Sequence, residues 1–146
     1  MLIFQNSLIY APLLSYLVTQ ALKVAIYSYK DGRFDYKRFF SSGGMPSSHA
    51  ATVSALALAA WRQLGPLSPV TALALVVALI VMYDARGVRQ ETGKHAKILN
   101  ELSENLWGAD AESRNKKLNE TVGHTLLQVL VGGMIGALIA FLVPLN

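Results

Sequence analysis

Charged side chains are absent from long stretches of this chain and crowded into the short ones between. Residues 1–22, 39–61, 63–83 and 125–146 contain no Asp, Glu, Lys or Arg. Each run is about 20 residues or longer, and a helix rising ~1.5 Å per residue needs about that many to cross a ~30 Å hydrocarbon core. Inside lipid the backbone must satisfy its own hydrogen bonds, so the runs read as helices. Trimmed, they predict spans over about 8–27, 47–64, 68–83 and 122–143. The second is rich in Ala, Ser and Thr, and is expected inside the bundle rather than against lipid. The first has no basic leader and no small-residue cleavage site ahead of Lys23, which argues against a signal peptide. Beyond the third span, Ala96, Leu99, Leu102 and Leu106 recur at helical spacing with Lys94, Lys97, Glu101 and Glu104 among them. They predict a cytoplasmic helix over about 90–107 that continues the third span and ends at Trp107-Gly108, with a solvated linker over 108–119. The expected architecture is all-α: a single domain, 1–146, forming an integral membrane bundle of four transmembrane helices plus one cytoplasmic helix.

Composition supports a membrane setting. Hydrophobic residues make up 53% of the chain and charged ones 15%, against about 25% charged in an ordinary globular domain. With no cysteine, a disulfide scaffold, a thiolate metal site and a cysteine nucleophile are excluded. The net charge of +4 does not point to nucleic acid, because the basic residues lie between apolar runs instead of on one face. Lys23, Lys30, Arg33, Lys37 and Arg38 fall in the first connection. Arg86, Arg89, Lys94, Lys97, Arg114, Lys116 and Lys117 fall in the third, and Arg62 stands alone on the second. The positive-inside rule then puts the two long connections in the cytoplasm and both termini outside, in a bacterial-type inner membrane.

Ionisable and polar residues gather at that same cytoplasmic face. Gly43-Gly44-Met45-Pro46-Ser47-Ser48-His49 opens the second helix, where glycines permit close approach and free N–H groups and hydroxyls suit an anion. Asp84, Arg86 and Arg89 leave the third, and an arginine fork matches phosphate oxygens. Gly123-His124-Thr125 opens the fourth. Steps of four place His124, Gln128, Gly132 and Gly136 on one face, and the paired glycines allow another helix to pack closely. Lys23 shares a stripe of the first helix with Tyr16, Gln20 and Tyr27. Packing four helices would gather two histidines, a lysine and one or two arginines around one cationic pocket suited to a phosphate ester. Only Asp84 and Glu91 lie near it, so no metal cage is expected.

Gln20-x-x-Lys23, Gly43 through His49, Met82-Tyr83-Asp84-Ala85-x-Gly87-Val88-Arg89, Leu99-Asn100 and Gly123-His124-Thr125 together resemble the divergent branch of the type-2 phosphatidic acid phosphatases, relatives of the vanadium haloperoxidases. The resemblance covers nearly the whole chain. It implies a metal-independent and cofactor-free phosphatase that hydrolyses a lipid phosphate monoester or diphosphate through a phosphohistidine. Carried over residue by residue, Lys23 and Arg89 would hold phosphate oxygens, with Arg86, Gly44, Ser47 and Ser48 beside them. His49 would be the general acid and His124 the nucleophile.

The chain departs from the family pattern at three places. Ser48 replaces a glycine, some 35 residues separate Arg89 from His124, and Gln128 stands where the family has an acid. His95 has the compact family spacing from Arg89, but Leu99 follows it at the acid's position with Asn100 one step off. The run Val129, Gly132, Gly136 resembles the family's closing helix and favours His124. Two other readings remain: a non-catalytic membrane protein that binds phosphate or anionic headgroups, and a small subunit that assembles through the Gly132/Gly136 seam. A homodimer is compatible with any of the three.

Overall fold

The computed structural model describes residues 6–40, 43–107, 117–120 and 122–144. They form α1 (Ser7–Asp31), a 3-10 turn (Tyr36–Phe40), α2 (Ser48–Leu64), α3 (Pro69–Arg86), α4 (Val88–Trp107) and α5 (Leu126–Leu142), with no strand among the described residues. The start of each of α1, α2, α3 and α5 is capped. Side chains of Asn6, Ser47, Ser68 and Thr125 accept from the backbone N–H of Leu8, Ala50, Val70 and Gln128, satisfying donors that a helix start leaves unpaired. Pro46 precedes the Ser47 cap and so lies outside the first turn of α2.

Helix α2 sits at the centre and packs on α1, α3 and α5. Its Ala50, Ala51, Ala55, Ala59 and Ala60 are fully buried, as the small residues of this run predict. Between helices surrounded by lipid, close van der Waals contact replaces the hydrophobic effect as the main attraction, and small side chains allow it. The tightest contact is with α5. A Cβ at Gly132 would run into the Ser47 carbonyl, and one at Gly136 into that of Ala51. Ser47 and Ala51 are themselves four apart, so two rows at the same spacing mesh. The glycine seam is therefore occupied within the chain, and assembly with other subunits through it has no free surface.

One end of the bundle is closed by polar bonds. Arg62 donates to the carbonyls of Ala140 and, at 3.0 Å, Val143, and lies over the Phe141 ring. It thus places a cation at the C-terminus of α5, where helix carbonyls lack partners. Ser7 bonds to Gln63 at 2.8 Å alongside. Lys23, His49, Arg89 and His124 lie toward the other end.

Two helices are long and apolar enough to cross a membrane: Ser7–Asp31 and the stretch Pro69–Leu106, in which α3 and α4 run on with only Gly87 between. Helix α5 is apolar but shorter, and α2 is the most sheltered. Length and hydropathy thus support two of the four expected crossings. The helix expected over 90–107 is present and does continue α3. Its leucines project outward, however: Leu99, Leu102 and Leu106 are exposed, and the face that packs is Gly93, Ala96 and Asn100. Gly108 and most of the expected linker, as well as Ser42, lie outside the described residues; Lys117, Leu118 and Asn119 are exposed.

Candidate active site

The cap on α2 and the cap on α5 meet, and that meeting brings two histidines together. Ser47 N–H donates to the Gln128 carbonyl at 3.2 Å, tying the start of α2 to the first turn of α5. His49, one turn into α2, and His124, just ahead of α5, then stand with ring centroids 5.9 Å apart and planes at 63°. His124 is buried and its own N–H is held by the Ala85 carbonyl of α3 at 3.0 Å. His95 lies on the exposed side of α4.

The hydrogen bonds around Gln128 assign the tautomer of His124. Gln128 Oε1 accepts from Thr125 N–H at 3.2 Å and lies 3.2 Å from His124 Nδ1. A backbone N–H can only donate, so the amide atom facing it is the oxygen. The imidazole Nδ1 that faces the same oxygen must then carry the proton. In the neutral ring the lone pair is left on Nε2, the nitrogen a nucleophile needs. Thr125 completes a reciprocal capping box with Gln128, so one amide both starts α5 and orients the imidazole. The backbone of Gly44 also bonds to this ring. Gly44 itself (φ 82°) is packed so tightly that a Cβ would lie 2.8 Å from the Tyr27 hydroxyl.

Cations surround the pair. Lys23 is 1% exposed, not snorkelled to the surface. Lys23 and Arg89 are close enough to act electrostatically on both imidazoles, and Asp84 on that of His49. Arg89 Nε is held by Asp84 at 3.1 Å, with both side chains partly exposed, so Arg89 keeps donors free for a phosphate. Ser47 and Ser48 are buried beside His49, and the Ser47 oxygen is used as the cap. Arg86 is placed elsewhere: it is exposed and lines a separate cleft with Tyr83, Gly87, Gln90 and Glu91. Arg38, which reads in sequence as a solvated charge, stacks on Tyr27 with its guanidinium carbon 4.8 Å from the ring centroid. Among the described residues no cluster of His, Asp or Glu could hold a metal ion.

Two clefts reach the histidines from different sides. One of about 370 Å³ is lined by Tyr16, Gln20, Phe40, Ser48, His49, Thr52, Val53 and Val81. Among the described residues α1 and α3 do not pack on each other, so this cleft is a groove between them floored by α2. Two buried polar atoms on its lining residues, Gln20 Oε1 and His49 Nδ1, have no hydrogen-bond partner among the described residues, an arrangement that functional sites often explain. The other cleft, about 480 Å³, reaches His124 and Gln128 and is lined on its outer side by Gln90, Lys94, Lys97 and Glu120.

This constellation sits within a chain whose residues 4–139 match the model of the Divergent PAP2 family. The chain belongs to that family. This divergent PAP2 chain is also similar to the uncharacterized membrane protein YuiD of Bacillus subtilis (strain 168), with 34% identity over 142 residues that cover 88% of this chain and 90% of the relative. No solved structure matches it. Sequence reasoning missed the tight fits at Gly93 and Gly123. The glycines were visible signals, but the backbones they admit come from residues some 30 positions away.

Proposed function

We propose that this divergent PAP2 protein is a membrane phosphatase acting on a lipid phosphate monoester or diphosphate, without a metal, through a phosphohistidine on His124. The observation that carries the reading is the His49–His124 pair, with His124 Nδ1 engaged by Gln128. Nε2 of His124 attacks phosphorus and the P–O ester bond breaks. The bonding electrons stay on the leaving oxygen, which takes a proton from His49. Water, deprotonated by His49, then attacks phosphorus, the P–N bond breaks, and phosphate and neutral His124 are regenerated. Lys23 and Arg89 hold the phosphate oxygens while the charge shifts among them, since phosphoryl transfer asks chiefly for positioning and charge stabilisation. The groove that ends at His49 gives the hydrocarbon part of a lipid substrate a place beside the leaving oxygen. In this reading α1, α2, α3 and α5 all cross the inner membrane, and the site faces the cytoplasm.

A second reading, anion or headgroup binding without turnover, rests on Gln128, whose amide adds no negative charge to the nucleophile. The test is phosphate release by detergent-solubilised protein from a panel of lipid phosphates with EDTA present, beside His49→Ala and His124→Ala. Release lost in both variants, with acid-labile and base-stable labelled phosphate on the wild type, supports the phosphatase. No release from any substrate, with lipid phosphate still bound by the wild type and by His49→Ala, supports the binding protein.

A further inference from the structure

Arg89 and His124 are far apart in sequence, yet both act on the His49 ring, and the hydrogen bonds of Asn100 explain how. Asn100 is 8% exposed on α4. Its Nδ2 donates to the Leu118 carbonyl at 3.0 Å and to Glu120 Oε1 at 2.8 Å, while its Oδ1 accepts from Leu118 N–H at 3.0 Å. The amide thus grips the returning chain by both backbone groups of one residue. Closer to the site the return lies hard against α4. A Cβ at Gly93 would come 2.7 Å from the Glu120 carbonyl oxygen, and one at Gly123 (φ 94°) would meet the backbone of Arg89 and Gln90. At the end of this path His124 N–H bonds to Ala85.

The lengths agree. From Asn100 back to Ala85 is 15 residues of mostly helical chain, ~22 Å at ~1.5 Å each. From Leu118 to His124 is six residues, ~20 Å at ~3.3 Å each when extended. A return of any other register would leave His124 above or below the histidine of α2. The end of the return nearer the site is fixed by glycine fits, which set distance but not register. The far end is fixed by Asn100, which bonds one residue at two points.

We infer that Asn100 is a positioning residue: by clamping Leu118 and Glu120 it sets the register in which His124 meets His49 and Arg89. For a phosphatase the consequence rests on the function proposed above, but the placement of the ring does not. The test is built on the only three histidines in the chain, whose ring nitrogens are assigned in ¹⁵N-histidine-labelled protein by replacing each in turn. Asn100→Asp keeps the acceptor for Leu118 N–H, loses both donated bonds, and sets a carboxylate against Glu120. Asn100→Asp with Glu120→Gln removes that repulsion and restores one bond, now donated by the glutamine.

The expected result is that the His124 ring resonances move in Asn100→Ala and in Asn100→Asp and return toward wild type in the double variant. Wherever phosphate release is measurable, kcat should fall about 10- to 100-fold in Asn100→Asp, as a small misplacement of a reacting group does, with KM nearly unchanged and partial recovery in the double variant. His124 resonances unchanged in folded Asn100→Asp would overturn the inference. So would a double variant no closer to wild type than Asn100→Asp. Absence of phosphate release with the resonances moving and recovering would count against the phosphatase alone.

Discussion

Replacing Gly136 by alanine tests whether the α2–α5 seam sets the geometry of the site. The new Cβ would stand 2.8 Å from Ala51 Cα and closer still to its carbonyl, where ordinary contact begins at 3.4 Å. Both obstacles are backbone, so no side chain can turn away, and the helices must part by at least about 0.6 Å. Overpacking of this kind costs about 1–3 kcal/mol, and a clash between backbones belongs at the upper end. Removing a glycine from a helix interior returns up to about 1 kcal/mol, which leaves a net loss of about 2 kcal/mol. Gly133 is the control, because a Cβ there meets only the Ser54 hydroxyl at 3.2 Å, which can rotate, so Gly133→Ala should keep the helix gain. At roughly 2–4 °C per kcal/mol for a chain near this size, the apparent unfolding temperature in detergent should fall roughly 4–8 °C in Gly136→Ala and rise slightly in Gly133→Ala. Tryptophan fluorescence reports it. The parting also lengthens the Ser47–Gln128 bond that brings the histidines together, so phosphate release should fall in the first variant only. Equal stability and equal activity in the two variants would refute the reasoning.

Two further outcomes follow from the site. Gln128→Glu keeps the acceptor that caps α5 and adds the charge the amide lacks, so kcat should rise on the order of tenfold, as ~1.4 kcal/mol of extra stabilisation of the transition state would give, whereas Gln128→Leu should lower it about 100-fold or more; kinetics on one lipid phosphate compares them. Val81→Trp narrows the groove without touching a histidine, and should reduce kcat/KM for long-chain lipid phosphates by about tenfold while leaving a short-chain, water-soluble ester nearly unaffected; equal losses on both substrates would remove the groove from the reaction.

Much of this architecture was legible in the sequence because lipid leaves the chain few options. Charge-free runs became helices at nearly the expected bounds, the Ala-rich run became the central helix, and the four-step row from His124 to Gly136 turned inward. Spacing along one helix could not supply its partner. The row on α2 that meets the glycines begins at Ser47, a residue that the motif alone marks only for phosphate. Lys23 was ambiguous for a related reason: a lysine near a helix end can snorkel or turn inward, and only the packing of α1 on α2 decides. Arg86 and Arg89 are three apart in sequence but fall on either side of Gly87, and only Arg89 acts on the histidines. The gap from Arg89 to His124 looked like a departure from the family pattern because chain distance is not spatial distance. An outgoing helix and an extended return consume residues at different rates, so the excursion closes on itself.

The two clefts bear on what happens after the chemistry. His49 borders the groove between α1 and α3, and His124 borders the chamber beside Lys94 and Lys97. Under the proposed reaction the two products have opposite solubilities, and each is released next to the compartment that dissolves it. The dephosphorylated lipid can slip sideways into the bilayer while phosphate still occupies His124, and water reaches the phosphohistidine without crossing the lipid's path. Departure of one product does not wait on the other, so a crowded membrane need not slow the enzyme's return to its starting state.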